Sequence, residues 1–255
     1  HFYNNGIVSA VELAKAGQYA ENVFFGKPCG LMDQTACALG GFAYIDFKDT
    51  SSPVVEKFEL DLASKGYALC IINTGGNHAD LTGDYAAVPA EMKSVAEVLG
   101  ARTLRFADEA KFRSSLPALR EKCGDRAILR AFHFFEENKR VDAEVEALEK
   151  KDFATFFNKI TESGDSSWKW LQNCYCNETP DEQSITVALA LTKLYLDKIG
   201  RGVCRVHGGG FAGVIAAFLP KEETEGFTKY IDKALGEGSA YVMHIRPQGA
   251  AKVEF

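Results

Sequence analysis

HGGGFAGVIAAFL, residues 207–219, decides how the chain folds. Gly208-x-Gly210-x-x-Gly213 has the glycine spacing of a dinucleotide-binding turn. That turn must lead from a strand into a helix, with an acidic residue about 20 positions on that closes a second strand. Here Val214 to Leu219 is a short apolar run that opens on a β-branched residue and stops at Pro220, which suits a strand. The acids beyond it, Glu222, Glu223 and Glu225, lie in a polar helical start. The stretch therefore reads as strand, glycine loop, strand, and the doubly wound dinucleotide fold is excluded. Glycines in such a loop serve either a tight hairpin or the close approach of a ligand, and the spacing leaves both open.

Working outward, the chain changes character twice. Downstream, a helix is predicted from about Glu222 to Leu235, then a last strand in YVMHIRP. Upstream, GVCRV is a strand and ITVALALTKLYLDKIG a long apolar helix. Residues 108–198 read as mostly helical, with ESGDSSWKWLQN as a Gly/Ser break. Nearer the start, Ser9 and Glu12 have capping-box spacing, so a helix begins there. Leu13, Gly17, Ala20 and Phe24 form its apolar stripe, and Pro28 ends it. A short helix from Met32 to Leu39 stops at Gly40-Gly41. FAYIDF, PVVEKFEL and KGYALCIINT read as strands, NTGGNHADLTGDY as a loop, and Pro89 to Leu99 as a helix. Strands cluster at both ends with helices between, so the fold class is α+β. The strand-to-loop change near Ser64 to Asn73 is the natural boundary, giving domains of 1–64 and 65–255.

Composition narrows the function classes. The 255 residues are 46% hydrophobic, enough for one large domain or two modest ones. The net charge of −6 and the lack of a Lys/Arg block argue against a nucleic-acid partner. No apolar run reaches the ~18 residues of a membrane span, and HFYNNG is not a signal peptide. The chain does not open on Met, which fits a start inside a longer protein. Its seven cysteines are scattered, several in apolar runs, as expected of reduced thiols in the cytoplasm. Cys174 and Cys176 are the close pair, but zinc needs two further soft ligands that the spacing does not offer.

GKPCGLMDQTACALGG, residues 26–41, carries the main candidate for chemistry. Asp33 can cap the helix it introduces, since Asp is a preferred cap. It can equally face a hydroxyl, because Gly30 leaves room for a ligand and Pro28 fixes the approach. Glu21 lies twelve residues upstream, beside the apolar stripe, and reads alone as a solvated charge. His78 and His133 read as structural, with no nucleophile nearby.

These residues have a likeness. AENVFFGKPCGLMDQTACALGG resembles the segment around the catalytic aspartate of galactokinases, in the GHMP small-molecule kinase superfamily. INTGGNHADLTGDYAAVPAEM resembles the strand and loop that come next there, and HGGGFAGV the glycine-rich third motif, all in the family's order. The resemblance implies a GHMP kinase-like fold: the remnant of an N-terminal domain, then a ferredoxin-like domain with helical insertions. It implies transfer of the ATP γ-phosphoryl group to the C1 hydroxyl of galactose, with Mg²⁺. Asp33 would be the catalytic aspartate, Gly30 and Tyr85 would contact the sugar, and Glu21 would be linked to the magnesium. Gly208, Gly209, Gly210 and Gly213 would shape the phosphate region. Ala212 stands where the family usually has Gly, which touches fine positioning in that loop. The family's N-terminal sugar motif and its Gly/Ser-rich phosphate loop are not in these residues, so activity is expected of a longer parent and not of this chain alone. A GHMP kinase for another sugar, or a galactokinase-like sugar sensor, are the alternative readings.

Overall fold

The computed structural model describes residues 6–26, 29–76 and 81–251. Pro28 and His78 lie outside them. The chain divides into two compact units, one of His1–Asp61 with His244–Phe255 and one of Leu62–Met243.

The first unit holds helix α1 (Ala10–Tyr19), helix α2 (Met32–Leu39) and strands β1 (Phe42–Asp46) and β2 (Val54–Phe58), which pair as an antiparallel hairpin. The capping box forms: Ser9 accepts from the Glu12 amide and Glu12 accepts from the Ser9 amide at 2.7 Å. The stripe expected along this helix does not run to Phe24. From Ala20 to Phe24 the chain makes a π turn. The wider turn shifts the residues beyond Tyr19 out of the α-helical register, which leaves Phe24 77% exposed. Gly17 faces α2, where a Cβ would make ordinary contact with Gln34 Cγ at 3.5 Å. Gly40 and Gly41 end α2 as the sequence indicates, with positive φ at both. They also admit the C-terminal tail. The Gly41 amide donates to the Arg246 carbonyl at 2.8 Å, and a Cβ on Gly40 would meet the Gln248 backbone at 2.4 Å. Among the described residues of this unit only Ala14, Leu31 and Thr35 are buried, so its own core is thin.

The second unit is built on a four-stranded antiparallel sheet in the order β4 (Val203–His207), β5 (Val214–Pro220), β3 (Tyr67–Asn73), β6 (Ala240–Met243). With helix α9 (Thr224–Leu235) between β5 and β6, and helices between β3 and β4, this is the ferredoxin-like βαββαβ arrangement. Strands β4 and β5 pair directly across the glycine loop, Val203 opposite Phe218 and His207 opposite Val214. The exclusion of a strand-to-helix glycine turn therefore holds.

The insertion between β3 and β4 comprises α3 (Thr82–Val98), α4 (Glu109–Ser114), α5 (Leu116–Cys123), α6 (Asp125–Glu149), α7 (Phe153–Ser166) and α8 (Ser184–Ile199). One sheet face buries Cys70, Ile72, Ile215 and Ala217 against α8 and α9. The other packs Tyr67 and Phe218 on Phe157 of α7. A second core of Val95, Phe112, Leu119, Ile128 and Phe135 holds the inserted helices together.

Two local expectations change. Helix α3 starts at Thr82, well before Pro89, so Tyr85 is helical and not in a loop. The proline contributes no amide to the helical ladder but its neighbours continue it. The Gly/Ser stretch after Glu162 does not break α7; it continues into a π turn, Ser167–Leu171, and ends at Gln172 with φ of 57°. The small residues there serve packing. A Cβ on Gly164 would sit 2.9 Å from Arg205 Cβ and 3.2 Å from the Cys204 carbonyl of β4. His133 is buried on α6 with its Nδ1 2.9 Å from Ser166 Oγ, so a serine does stand beside it, contrary to the sequence expectation; both side chains are buried.

Candidate functional site

In the first unit the candidate chemistry sits at the entry to α2. Its N-cap is Leu31, with no side-chain cap bond, and Asp33 lies one residue inside the helix. The expectation that Asp33 caps is therefore wrong: the helix begins at Met32, so the Asp33 carboxylate is past the position from which a cap reaches back. It is exposed in the first turn, where the helix dipole favours negative charge. The stretch of chain leading to it is held from α1 and the π turn. The Cys29 amide donates to Asn22 Oδ1 at 2.8 Å, and the Cys29 carbonyl accepts from Gln18 Nε2 at 3.1 Å. Sequence reasoning missed Gln18 and Asn22; an Asn seven residues before Cys29 was the available signal. Gly30 is exposed and no described atom lies within 4 Å of where its Cβ would be, so the backbone there is open to approach. Glu21 is half-buried in the π turn beside Asn22.

In the second unit the glycine loop, residues 208–213, is gripped by its own chain. Tyr85 donates its hydroxyl to the Gly210 carbonyl at 2.6 Å, and its ring packs edge-on against Phe211 with centroids 5.3 Å apart. Burial pushes the Tyr85 phenol up from its ordinary pKa, which keeps it a donor. Asn173 makes two contacts: its Nδ2 donates to the Gly209 carbonyl at 3.1 Å, and its own carbonyl accepts from the Phe211 amide. Thr74, just past β3, donates its hydroxyl to the Gly213 carbonyl at 2.8 Å.

The glycines thus have different reasons. A Cβ on Gly209 would lie 2.4 Å from the Tyr85 ring, and one on Gly210, at φ +85°, 2.1 Å from the Asn173 carbonyl. A Cβ on Gly208, at φ +75°, would meet no described atom within 4 Å. Gly209 and Gly210 are required by internal packing, and Gly208 alone of these three has no described neighbour there. Phe211 is held at φ of 60° although it is not glycine, a conformation that costs about 1–2 kcal/mol and needs such a grip. Ala212 is buried, its methyl 3.2 Å from the Cβ position of Gly76. The methyl thus fills space where residue 76 carries no side chain. Asn173, Thr74 and Phe211 were not foreseen from the sequence.

The predicted site residues therefore form two groups: Glu21, Gly30 and Asp33 in the first unit, and Tyr85, Gly208, Gly209, Gly210 and Gly213 in the second. Among the described residues no three His, Cys, Asp or Glu side chains cluster as a metal cage. No helix among them is long and apolar enough to cross a membrane.

Residues 1–41 match the model of the GHMP kinases N terminal domain. A galactokinase of Actinobacillus pleuropneumoniae serotype 3 is 32% identical over 227 residues, covering 88% of this chain and 55% of the relative. A galactokinase of Streptomyces coelicolor is 29% identical over 226 residues, with 88% and 54% covered. The chain thus spans about half the length of these curated relatives. In fold it matches the crystal structure of Lactococcus lactis galactokinase complexed with galactose, with a TM-score of 0.74 at 23% identity over 98% of this chain and 63% of that one. It also matches mevalonate kinase of L. major in complex with R-mevalonate, with a TM-score of 0.56 at 15% identity over 96% of this chain and 60% of that one. By sequence the chain is similar to galactokinases over about half their length, and its fold is that of the GHMP kinases.

Proposed function

We propose that the chain is the larger part of a galactokinase, which transfers the γ-phosphoryl group of ATP to the C1 hydroxyl of galactose. The observation that carries this is Asp33: in the stretch most like galactokinases, the carboxylate is exposed and is not consumed as a helix cap. Residues 1–64 would belong to the N-terminal GHMP kinase domain and 65–255 to the C-terminal one.

Phosphoryl transfer depends on positioning and charge neutralisation more than on covalent chemistry by the protein. Asp33 accepts a hydrogen bond from the attacking sugar hydroxyl, orients its lone pair, and takes its proton as the new O–P bond forms and the bond from the γ-phosphorus to the bridging oxygen breaks, with ADP leaving. Gly30 lets the backbone lie against the sugar. Tyr85 holds the glycine loop through Gly210, and its phenol oxygen is the proposed contact to a sugar hydroxyl. Gly208 is the position at which a phosphate can come close to the loop backbone. Mg²⁺ would supply neutralisation of the phosphate oxygens. Glu21 is the carboxylate proposed to reach it, a single side chain that fits the magnesium habit of binding through one or two carboxylates plus phosphates. A cytoplasmic location is part of the proposal, supported by seven cysteines that are all free.

The test is a coupled assay with galactose and ATP. A protein that carries these 255 residues together with the sugar motif and the Gly/Ser-rich loop phosphorylates galactose, and the 255 residues alone do not. In the longer protein Asp33→Asn lowers kcat by about 10² or more. Wild-type turnover by Asp33→Asn would remove this residue from the mechanism, and failure to phosphorylate galactose while accepting another sugar would move the proposal to a different GHMP sugar kinase.

A further inference from the structure

Besides Thr74 at Gly213, the glycine loop is held by two arms. One is the start of α3, which carries Tyr85; the other is the segment 171–176, which carries Asn173. The second leaves the π turn at Gln172, in left-handed backbone, and has no regular structure until α8. Something must fix the distance between the arms if the loop's carbonyls are to be met from both sides.

Two part-buried ties span that distance. Arg130 of α6 is only 1% exposed. Its Nη1 lies 2.8 Å from Glu91 Oε2 on α3, and its Nε donates to the Leu171 carbonyl at 3.1 Å. One guanidinium thus holds both arms at once, with the planar fork that a lysine lacks. Glu91 is shared with Arg126, whose Nε reaches Glu91 Oε1 at 3.0 Å. The second tie is Cys176, buried, whose thiol donates to Asp84 Oδ2 at 2.8 Å, and Asp84 immediately precedes Tyr85. The charges balance: Asp84 and Glu91 on α3 face Arg126 and Arg130 on α6, and Asp84 adds to the attraction on both guanidinium groups. The two ties bracket Asn173 on one arm, while on the other Asp84 adjoins Tyr85 and Glu91 lies further along the helix.

We propose that Arg130, with Glu91, is a positioning pair for the glycine loop, clamping α3 to the 171–176 segment so that Tyr85 and Asn173 meet the loop in register. The consequence for phosphate handling rests on the function proposed above; the clamp itself does not. Neither residue touches a reacting atom. Both act through Tyr85 and Asn173.

The experiment is residue-resolved hydrogen exchange on the purified chain without ligands, comparing the wild type with Arg130→Lys. Lysine can still pair with Glu91 but cannot also reach the Leu171 carbonyl. The Phe211 amide, bonded to the Asn173 carbonyl, is expected to exchange about tenfold faster or more, with the β5 amides of Ile215 and Ala217 changing by less than about twofold. Glu91→Gln, which keeps the shape and loses the charge, is expected to give the same local pattern. Unchanged exchange at Phe211 in both variants would overturn the proposal. So would a uniform rise across the unit, or unfolding of both variants, since either assigns the pair to global stability. A longer, active form separates this from the kinase reading: Arg130→Lys is expected to raise KM for ATP more than it lowers kcat. A loosened loop with unchanged ATP kinetics would leave the clamp standing and refute the phosphate role of the loop.

Discussion

Exchanging one glycine of the loop for alanine tests whether the 208–213 segment is shaped by its own chain. Gly210→Ala meets two penalties. Its φ of +85° is left-handed, which costs an alanine roughly 1–2 kcal/mol. Its new Cβ would fall 2.1 Å from the Asn173 carbonyl and 2.7 Å from Asn173 Nδ2. Backbone on both sides must move, and overpacking of that kind costs about 1–3 kcal/mol. The expected loss is roughly 2–5 kcal/mol. Gly208→Ala has the first penalty, at φ +75°, but no described neighbour within 4 Å, so about 1–2 kcal/mol is expected. Urea unfolding monitored by far-UV circular dichroism gives both values from the midpoints, with m compared to confirm that the same transition is measured. A loss for Gly210→Ala no larger than that for Gly208→Ala would refute the reasoning, because it would mean that the Asn173 contact places no demand on the loop. In a catalytically active longer form Gly208→Ala, at the open position, is expected to lower turnover although it is the milder of the two changes in stability.

Other expectations come from the same geometry. Gly164→Ala gains about 1 kcal/mol of helix propensity but forces a Cβ against Arg205 Cβ at 2.9 Å, a strain of about 1–3 kcal/mol, so net destabilisation in thermal unfolding is expected; a higher Tm would show that α7 and β4 can part. Burial holds the His133 pKa down at about 4, so between about pH 6.5 and 4 the unfolded chain binds the extra proton and stability falls as pH falls. Glu144 acts in the opposite sense. Burial first, then the Glu137 charge, raises it to about 7, so the folded chain binds the extra proton and stability falls as pH rises from about 4.5 through 7, with Arg205 and Arg140 opposing. The two slopes offset in the wild type, and Glu144→Gln is expected to expose a stability that climbs with pH from about 4 to 6.5; a flat profile in that variant would contradict the assignment. Asp33→Asn is expected to change stability by less than about 1 kcal/mol, the size of a helix-dipole contribution and below that of a good cap, and a larger loss on urea unfolding would return Asp33 to a capping role.

Much of this protein was legible in its sequence. The α+β class, the capping box at Ser9, the strand pair around the glycine loop and the buried strand at Tyr67–Asn73 come from period, turn residues and caps, which are local properties of neighbouring side chains. The family likeness rests on short contiguous motifs, and these too are local. What the sequence could not reveal is where separate segments meet. By residue type Asp33 reads as able to cap, although the sequence already places the helix from Met32; the cap position falls on Leu31, which leaves the Asp33 carboxylate exposed in the first turn. The π turns at Ala20–Phe24 and Ser167–Leu171 have no periodic signature strong enough to announce them, yet the first turns Phe24 outward and the second delivers Asn173 to the loop. The glycines of residues 208–210 look alike in sequence; only the approach of Tyr85 and Asn173, 125 and 36 residues away along the chain, tells which serve packing and which one is open. Local chemistry is written in neighbouring residues, whereas contact between distant residues exists only once the chain has closed on itself.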